Sequence, residues 1–461
     1  MMKLLTMLML SISLTYASSE ASTGVIPDLT FTWVGISALI IFIIAYYFVA
    51  TEEKYHIDKA KPALFAGTFM FILIAVYYAL NGLNMDLVHT QAQHLILEIA
   101  EIFFFLFVAM TYIETLIHMN LFEKLKYTLV SKGYNYRKLF WITGLLAFFI
   151  SPIADNLTTA LILSTVLITI ERQNKYFLVP GAINIVVAAN AGGAWSPFGD
   201  ITTLMAWTSG KGDFTDFLFL FPASIGGYLV TAYLLSRFVP KTKPSFDATQ
   251  EKVPELMQGA GIVAGLGVFT IASAVISHQA LHLPAMWGMM FGLAVLKLFQ
   301  YRLKKKYNST LNIFESMSKI ENNTLLFFFG ILASVGALYF LGWLALASVV
   351  YDPSVLGATW SNICVGFLSA IVDNVPVMSA ILKANPVMGV EQWLLVTLTA
   401  GVGGSLISFG SAAGVGVMGK LPGIYTFSSH MKYAWTIFIG YAISVGIWFV
   451  QFEILGLYIK R

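Results

Sequence analysis

Two aspartates, each followed by an asparagine, interrupt stretches that otherwise read as apolar helix. The first stands in SPIADNLTTALI, residues 151–162, and the second in SAIVDNVPVMSA, residues 369–380, 218 positions later. An ionised carboxylate buried without a partner costs several kcal/mol or more, so Asp155 and Asp373 must hold a proton, a cation or a set of hydrogen bonds. A proton and a sodium ion can compete for one such group, and that competition is the minimum chemistry of a cation/proton exchanger. A plainer role competes with this one, because Asp ahead of a helix is a good N-terminal cap. The recurrence of the pair at two interruptions favours the ion reading, and a cap can also be a ligand.

Other residues gather around the interruptions. NAGGAWSPFGDITTLM, residues 190–205, carries Gly192, Gly193 and Pro197 ahead of Asp200 and Thr202. Gly403 and Gly404 repeat the glycine pair, while Pro152 and Pro376 flank the two aspartates. Glycine permits close backbone approach or unusual dihedrals and proline lacks a donor, so these positions are expected hinges and helix breaks. Breaks at membrane depth leave carbonyls, N–H groups and half-helix ends that bind small ions. Asn156, Thr158, Thr159, Asn374, Ser196, Ser369 and Ser408 add neutral oxygens. Asp200 and Glu114, the latter in LFVAMTYIETLI, are ionisable groups inside apolar spans and hence functional candidates by default. Glu98 and Glu101 fall nearer the outer surface, lining an entrance or facing water. His89, His94, His278 and His282 are expected on outer loops and His430 on an inner one, all as surface residues; His118 is a candidate pH sensor at an inner helix end.

Such residues need a scaffold, and composition supplies its medium. The chain has 461 residues, 58% hydrophobic and 11% charged, with mean hydropathy +0.77. Soluble domains carry roughly a quarter charged residues, so the partner is membrane lipid. The single cysteine, Cys364, excludes a disulfide framework, and a net charge of +3 without a basic aromatic patch gives no nucleic-acid case. No cofactor is expected. Residues 1–19 read as a signal peptide, with one lysine, a short apolar core and small residues at Ala17 and Ser19. The mature N-terminus is then outside.

Apolar blocks predict spans near 31–50, 61–80, 97–117, 177–207, 215–236, 257–277, 284–300, 324–345, 391–418 and 431–457. Blocks 139–171 and 354–386 are read as re-entrant hairpins that do not change sides. With that assumption 22 of the 27 Lys and Arg fall on cytoplasmic loops and their flanks, 4 fall outside and Lys3 lies in the leader. That bias is what positive-inside placement demands. The C-terminus is then also outside. EIFFFLFVAM (101–110) resembles LLFFFGILAS (325–334), Asp155-Asn156 matches Asp373-Asn374, and NAGGAWSPFGD (190–200) matches VGGSLISFGS (402–411). The expected fold is therefore an all-α polytopic membrane protein of two inverted-topology repeats, each with a re-entrant hairpin and a discontinuous transmembrane helix. The first half covers 31–236, a cytoplasmic linker 237–256 and the second half 257–457. The first hairpin is cytoplasmic and the second outer, as alternating access requires.

SPIADNLTTALI, NAGGAWSPFGDITTLM and SAIVDNVPVMSAI, in this order, resemble the motifs of bacterial sodium/proton antiporters of the NhaD type. These lie within the ion-transporter superfamily that includes arsenite and sodium-coupled dicarboxylate carriers. The likeness runs from near residue 30 to the C-terminus. It implies exchange of cytoplasmic sodium or lithium for external protons across the bacterial inner membrane, often by a homodimer. It also implies a polar site at Asp155, Asn156, Thr158, Asp200, Thr202, Asp373 and Asn374, with Glu114 as the acid of the preceding helix. A dicarboxylate would meet like charge at both tips, with no arginine or lysine in either motif; neutral arsenite would not. A non-transporting receptor or scaffold has no reason to repeat buried acids at two breaks.

The charge bias makes a test. Cysteines placed singly in 241–248 and 302–310 of a Cys364→Ala background should resist an impermeant thiol reagent applied to intact cells. Ready labelling of both loops from outside, with the envelope intact, would overturn the topology.

Overall fold

The computed structural model describes residues 27–55, 57–244, 254–307 and 311–457. The leader, both termini and linker residues 245–253 lie outside the described residues. Every regular element among those described is a helix. Many begin where a polar side chain accepts from the first-turn backbone: Thr32 opens α1 (Trp33–Ala50) and Asn84 opens α3 (Met85–His118), with α2 (Ala60–Leu80) between them. Expected as a span over 97–117, α3 instead has 34 residues. At ~1.5 Å per residue it is about 50 Å long, well beyond an apolar layer of about 30 Å. The extra turns carry Asp86, His89 and His94, so a capped polar extension continues the apolar span.

The amphipathic α4 (Leu121–Ser131) leads to α5 (Tyr136–Ala154), which ends at Asp155; α6 (Asn156–Ile170) begins directly after it. The pair returns to its starting end, where the Tyr136 hydroxyl donates to the Glu171 carboxylate. α7 (Lys175–Gly193) and α8 (Ile201–Thr208) are separated by non-helical residues 194–200, as the glycines and Pro197 led one to expect. There follow α9 (Phe221–Ser236), α10 (Ala260–Val275), α11 (Ala285–Tyr307) and α12 (Asn322–Phe340). α13 (Gly357–Val372) and α14 (Asn374–Ala384) meet at Asp373. α15 (Val390–Gly403) and α16 (Ala412–Lys420) form the second broken helix, and α17 (Ala434–Phe449) closes the fold. The Asn362 amide of α13 donates to the Gln392 carbonyl at 3.0 Å, and Gln392 donates to Thr359 at 2.9 Å. The start of α13 thereby lies beside the chain that leaves α14.

Among the described residues nine helices are long and apolar enough to cross a membrane, α5 included. Of the broken helices only the long half α7 is counted; α8, α15 and α16 are each too short. Loop contacts sort into two ends. At one, Tyr136 N–H donates to the Thr242 carbonyl, Met257 N–H to Met119 and Lys175 to Gly423. At the other, Leu29 N–H donates to Leu341, Lys211 to Asn385, and Lys383 pairs with Glu98 at 2.7 Å. This is the division that the basic residues drew.

Helices α2 and α12 pack along each other with α1, α3 and the α10–α11 pair to form one flank. The interrupted elements form the other, built around α7, which is almost wholly buried. Within it the arms are exchanged: α6 packs on α16, and α8 on α14. Each tip is therefore held by the distal half of the other broken helix.

Glu171 closes the base of the first helix pair. Burial opposes its charge, but the Tyr136 hydroxyl and the N–H groups of Gln173, Arg172 and Asn174 outweigh that, holding its carboxyl below the usual range. A group whose folded pKa is depressed stabilises the fold above its unfolded pKa and loses that contribution as pH falls through the folded value. Glu171→Gln should therefore cost about 1 kcal/mol at pH 8, after discounting for solvent, and progressively less through the acid range. Thermal melting in detergent at several pH values measures this, and equal melting at pH 8 would refute the contribution.

Candidate functional site

Asp155 has φ 59° and ψ 163°, and Asp373 φ 66° and ψ 147°. Glycine aside, residues rarely occupy this region, at a cost of ~1–3 kcal/mol each. The conformation lets one residue end the first arm and cap the second, so the direction changes without a spacer. Asp155 carries the cap fully: Oδ1 accepts from Thr158 N–H at 2.8 Å and Oδ2 from the Thr158 hydroxyl at 2.7 Å. At Asp373 the corresponding bond, from Val375 N–H, is 3.4 Å.

The expected hinges need correction. Unusual dihedrals fall on the aspartates, whereas Gly192, Gly193, Gly403 and Gly404 all keep negative φ. Gly192, Gly193 and Gly403 end their helices, Gly404 caps one, and the use of the pair is close approach. A Cβ on Gly192 would sit 2.2 Å from the Phe148 carbonyl oxygen, and one on Gly403 2.3 Å from that of Gly366. Pro152 lies within the last turn of α5, where its carbonyl accepts from Ser196 at 2.9 Å. Pro376 lies in the first turn of α14, where a missing N–H breaks no bond. Pro197 alone sits in a non-helical break.

The two tips converge on a third acid. Asp200 caps α8, its Oδ1 accepting from Thr202 N–H at 3.1 Å. Its Oδ2 accepts from the amide of Asn156 at 2.8 Å and from that of Asn374 at 2.9 Å. Asn156 also donates to Asn190 Oδ1 at 3.0 Å, and Asn190 donates to the hydroxyls of Ser405 and Ser411, each at 2.8 Å. Asp200, Asp373 and all three asparagines are buried, Asp155 partly so. The ion pairs found among the described residues, Lys319–Glu315 and Lys383–Glu98, lie elsewhere. Among the described residues, the hydroxyls of Thr159 and Ser408 are buried at these breaks without a hydrogen-bond partner. An unsatisfied buried hydroxyl costs about 1–3 kcal/mol, and a carboxylate set edged by such oxygens suits a hard monovalent cation or a proton.

Two cavities reach this cluster. One of about 280 Å³ is lined by Glu114, Thr158, Glu123, Glu321 and Lys420, joining Glu114 to the residue that caps against Asp155. The other, about 220 Å³, is lined by both Asp155 and Asp200 with Tyr112, Phe198 and Thr270. Ile113 borders both. At the opposite end of α3, Glu101 lines a cavity of about 300 Å³ with His94 and Glu98 and another of about 470 Å³ with His278 and His282. Glu98 is tied to Lys383 instead of only facing water, and the half-buried His278 ring contacts the Trp207 carbonyl at 3.2 Å. Asp216, buried, receives Asp213 N–H at 2.7 Å and closes the cap of a short helix.

Two residues are more deeply engaged than their sequence settings indicated. Asn190 was visible only as one amide in an apolar helix. His430, expected at a surface, is fully buried, with its ring against the second break. A loop position assigned from hydropathy says nothing about whether the loop folds back under the helices.

The family described as citrate transporter matches residues 46–401. The chain is 44% identical over 464 aligned residues to the Na(+)/H(+) antiporter NhaD of Vibrio cholerae, covering 95% of this chain and 96% of that one. It is 45% identical to the antiporter of the same name from Alkalimonas amylolytica, covering 91% of each, and 46% identical to that of Vibrio parahaemolyticus, covering 83% of this chain and 98% of the relative.

The glycine approach supplies a test of how the tips are held. Gly192→Ala drives a methyl group into main chain, so it should cost about 1–3 kcal/mol. Gly261→Ala, whose Cβ meets nothing within 4 Å, is the neutral control. Melting of the purified variants compares them, and equal stability of the two would refute the packing argument.

Proposed function

Because the chain belongs to the NhaD family of sodium/proton antiporters, we propose that it exports cytoplasmic sodium or lithium in exchange for external protons. It is a secondary transporter and not an enzyme. The observation that carries the mechanism is the meeting of Asn156 and Asn374, one from each tip, on the single buried carboxylate of Asp200. An amide offers N–H on one side and a carbonyl oxygen on the other. In the proton-loaded form the amides donate to Asp200; turning either about its bond presents an oxygen to an arriving cation. Asp155, Asn156, Thr158, Asp200, Thr202, Asp373 and Asn374 form the site, and Glu114 gives access from the cytoplasm through its cavity. Protons and sodium bind the same carboxylates alternately, so uptake of one expels the other.

The proposed architecture is a pair of inverted repeats, 31–236 and 257–457, joined by the cytoplasmic linker 237–256. Recurring contacts support it. Ser151 donates to the Ala189 carbonyl at 2.6 Å and Ser369 to the Ala400 carbonyl at 2.7 Å, and the exchanged packing of α6 and α8 is reciprocal. In this reading 139–171 is a cytoplasmic re-entrant hairpin and 354–386 an outer one, in a homodimer of the bacterial inner membrane with both termini outside. The Lys383–Glu98 and Lys211–Asn385 contacts close the outer end while the Glu114 cavity meets the cytoplasmic one, which supports an inward-facing state.

Everted vesicles test the exchange. Sodium should collapse a respiration-generated pH gradient, whereas dependence on citrate or arsenite would move the assignment to those substrates. Competition at Asp155 makes the apparent sodium affinity weaken by about tenfold for each pH unit lost once the acid is mostly protonated. Coupling among the three carboxylates can spread that slope. An apparent sodium affinity that is constant from pH 6 to 9, or a profile unchanged in folded Asp155→Asn, would remove Asp155 from the competing site.

A further inference from the structure

His430 belongs to the short helix Phe427–Met431, between α16 and α17. Its Nε2 lies 3.0 Å from the Ser405 carbonyl oxygen and 3.3 Å from that of Leu406, and its Nδ1 lies 2.8 Å from the Tyr425 hydroxyl. Carbonyl oxygens only accept, so Nε2 carries a hydrogen; the tautomer follows from its partners. In the neutral ring Nδ1 then accepts from the buried phenol of Tyr425.

Those two carbonyls open non-helical segment 404–411, just past the end of α15. Backbone at such depth must find donors within the protein. One imidazole N–H serves both oxygens. Ser405 has a second role, because its hydroxyl accepts from Asn190, which accepts from Asn156, which donates to Asp200. The histidine therefore grips the main chain of the residue whose side chain begins the run to the central carboxylate. Among the described residues the first half has no such grip. Its short helix Phe214–Leu218 has the same kind of capping box, from Asp213 where the second half has Thr426, but Phe217 stands in the place of His430.

We propose that His430 is a positioning residue for the ion site, fixing the second break so that Ser405, Asn190 and Asn156 hold Asp200 in its ion-binding geometry. This rests on the antiport reading above. Without the imidazole donor the Ser405–Leu406 main chain is released, the Ser405 hydroxyl leaves Asn190, and Asn190, then held by Ser411 alone, orients Asn156 less firmly. The loss falls on sodium recognition, not on the amount of folded carrier.

The experiment measures sodium-dependent proton movement in everted vesicles, normalised to folded protein. His430→Phe keeps an aromatic ring and removes the donor; its sodium KM should rise about fivefold or more while the maximal rate stays within about twofold. His430→Gln restores an N–H at the same reach, and its KM should return to within about twofold of the wild type. An unchanged KM in His430→Phe, a fall in maximal rate alone, or equal impairment of the Gln and Phe variants would overturn the proposal. Should His430→Phe fail to fold, Tyr425→Phe decides: a KM raised about threefold supports the role, and an unchanged KM overturns it. Wild-type vesicles without sodium-dependent exchange would instead defeat the antiport reading itself.

Discussion

One buried carboxylate oxygen, Oδ2 of Asp200, receives amides from two places far apart in the chain, and the rest of the arrangement depends on that. Asn156 and Asn374 stand at the tips of separate helix pairs, so neither tip can shift without breaking a hydrogen bond at the centre. Each such bond is worth about 0.5–1.5 kcal/mol, of the same order as the cost of an unusual backbone conformation at each tip. The strained aspartates and the convergent asparagines are adjacent residues. Reversing direction at one residue is what brings the next side chain to the carboxylate.

That economy has a consequence for exchange. A longer turn at either tip would relieve the strain, but it would also separate the capping acid from the converging amide. As built, Asp155, Asn156 and Thr158 act as one block: Thr158 fixes the acid, the acid fixes the start of α6, and the start of α6 aims Asn156. In the proposed cycle a proton or cation arriving at Asp155 therefore acts on the same backbone that carries the amide to Asp200. Coupled titration is expected of carboxylates linked in this way.

Much of this plan was legible in the residues because a membrane makes interruptions conspicuous. Aspartate, proline and glycine in apolar runs marked both tips and both broken helices, and the basic residues sort the loops into the same two groups as the loop contacts. The detail that failed concerned which residue does what. Glycine was expected to permit close approach or unusual dihedrals; it serves close approach, and the dihedrals fall on the aspartates, where a side chain is needed to cap the second arm. The prolines were expected at the breaks, but Pro152 and Pro376 are tolerated within end turns of helices. His430 and Asn190 were missed for a common reason. Their links to the breaks run to residues 24 or more positions away, and no local spacing announces such contacts.

The two breaks are each followed by a helix capped by a polar side chain, and they differ in charge. Asp200 caps α8 where Ser411 caps α16, so one half contributes a titratable group at its break and the other a neutral hydroxyl. The neutral break is the one gripped by His430, and it reaches the charged break through Ser405, Ser411 and Asn190. Charge is thus concentrated on one side of the centre and restraint on the other. In an exchanger built from opposed repeats, equal backbones let the same motion run toward either face. A second carboxylate at position 411 would sit beside Asn190 and add like charge to a site already holding three acids, raising the cost of emptying it between ions. In the proposed cycle a serine there caps the break without that repulsion, so emptying the site between ions costs less.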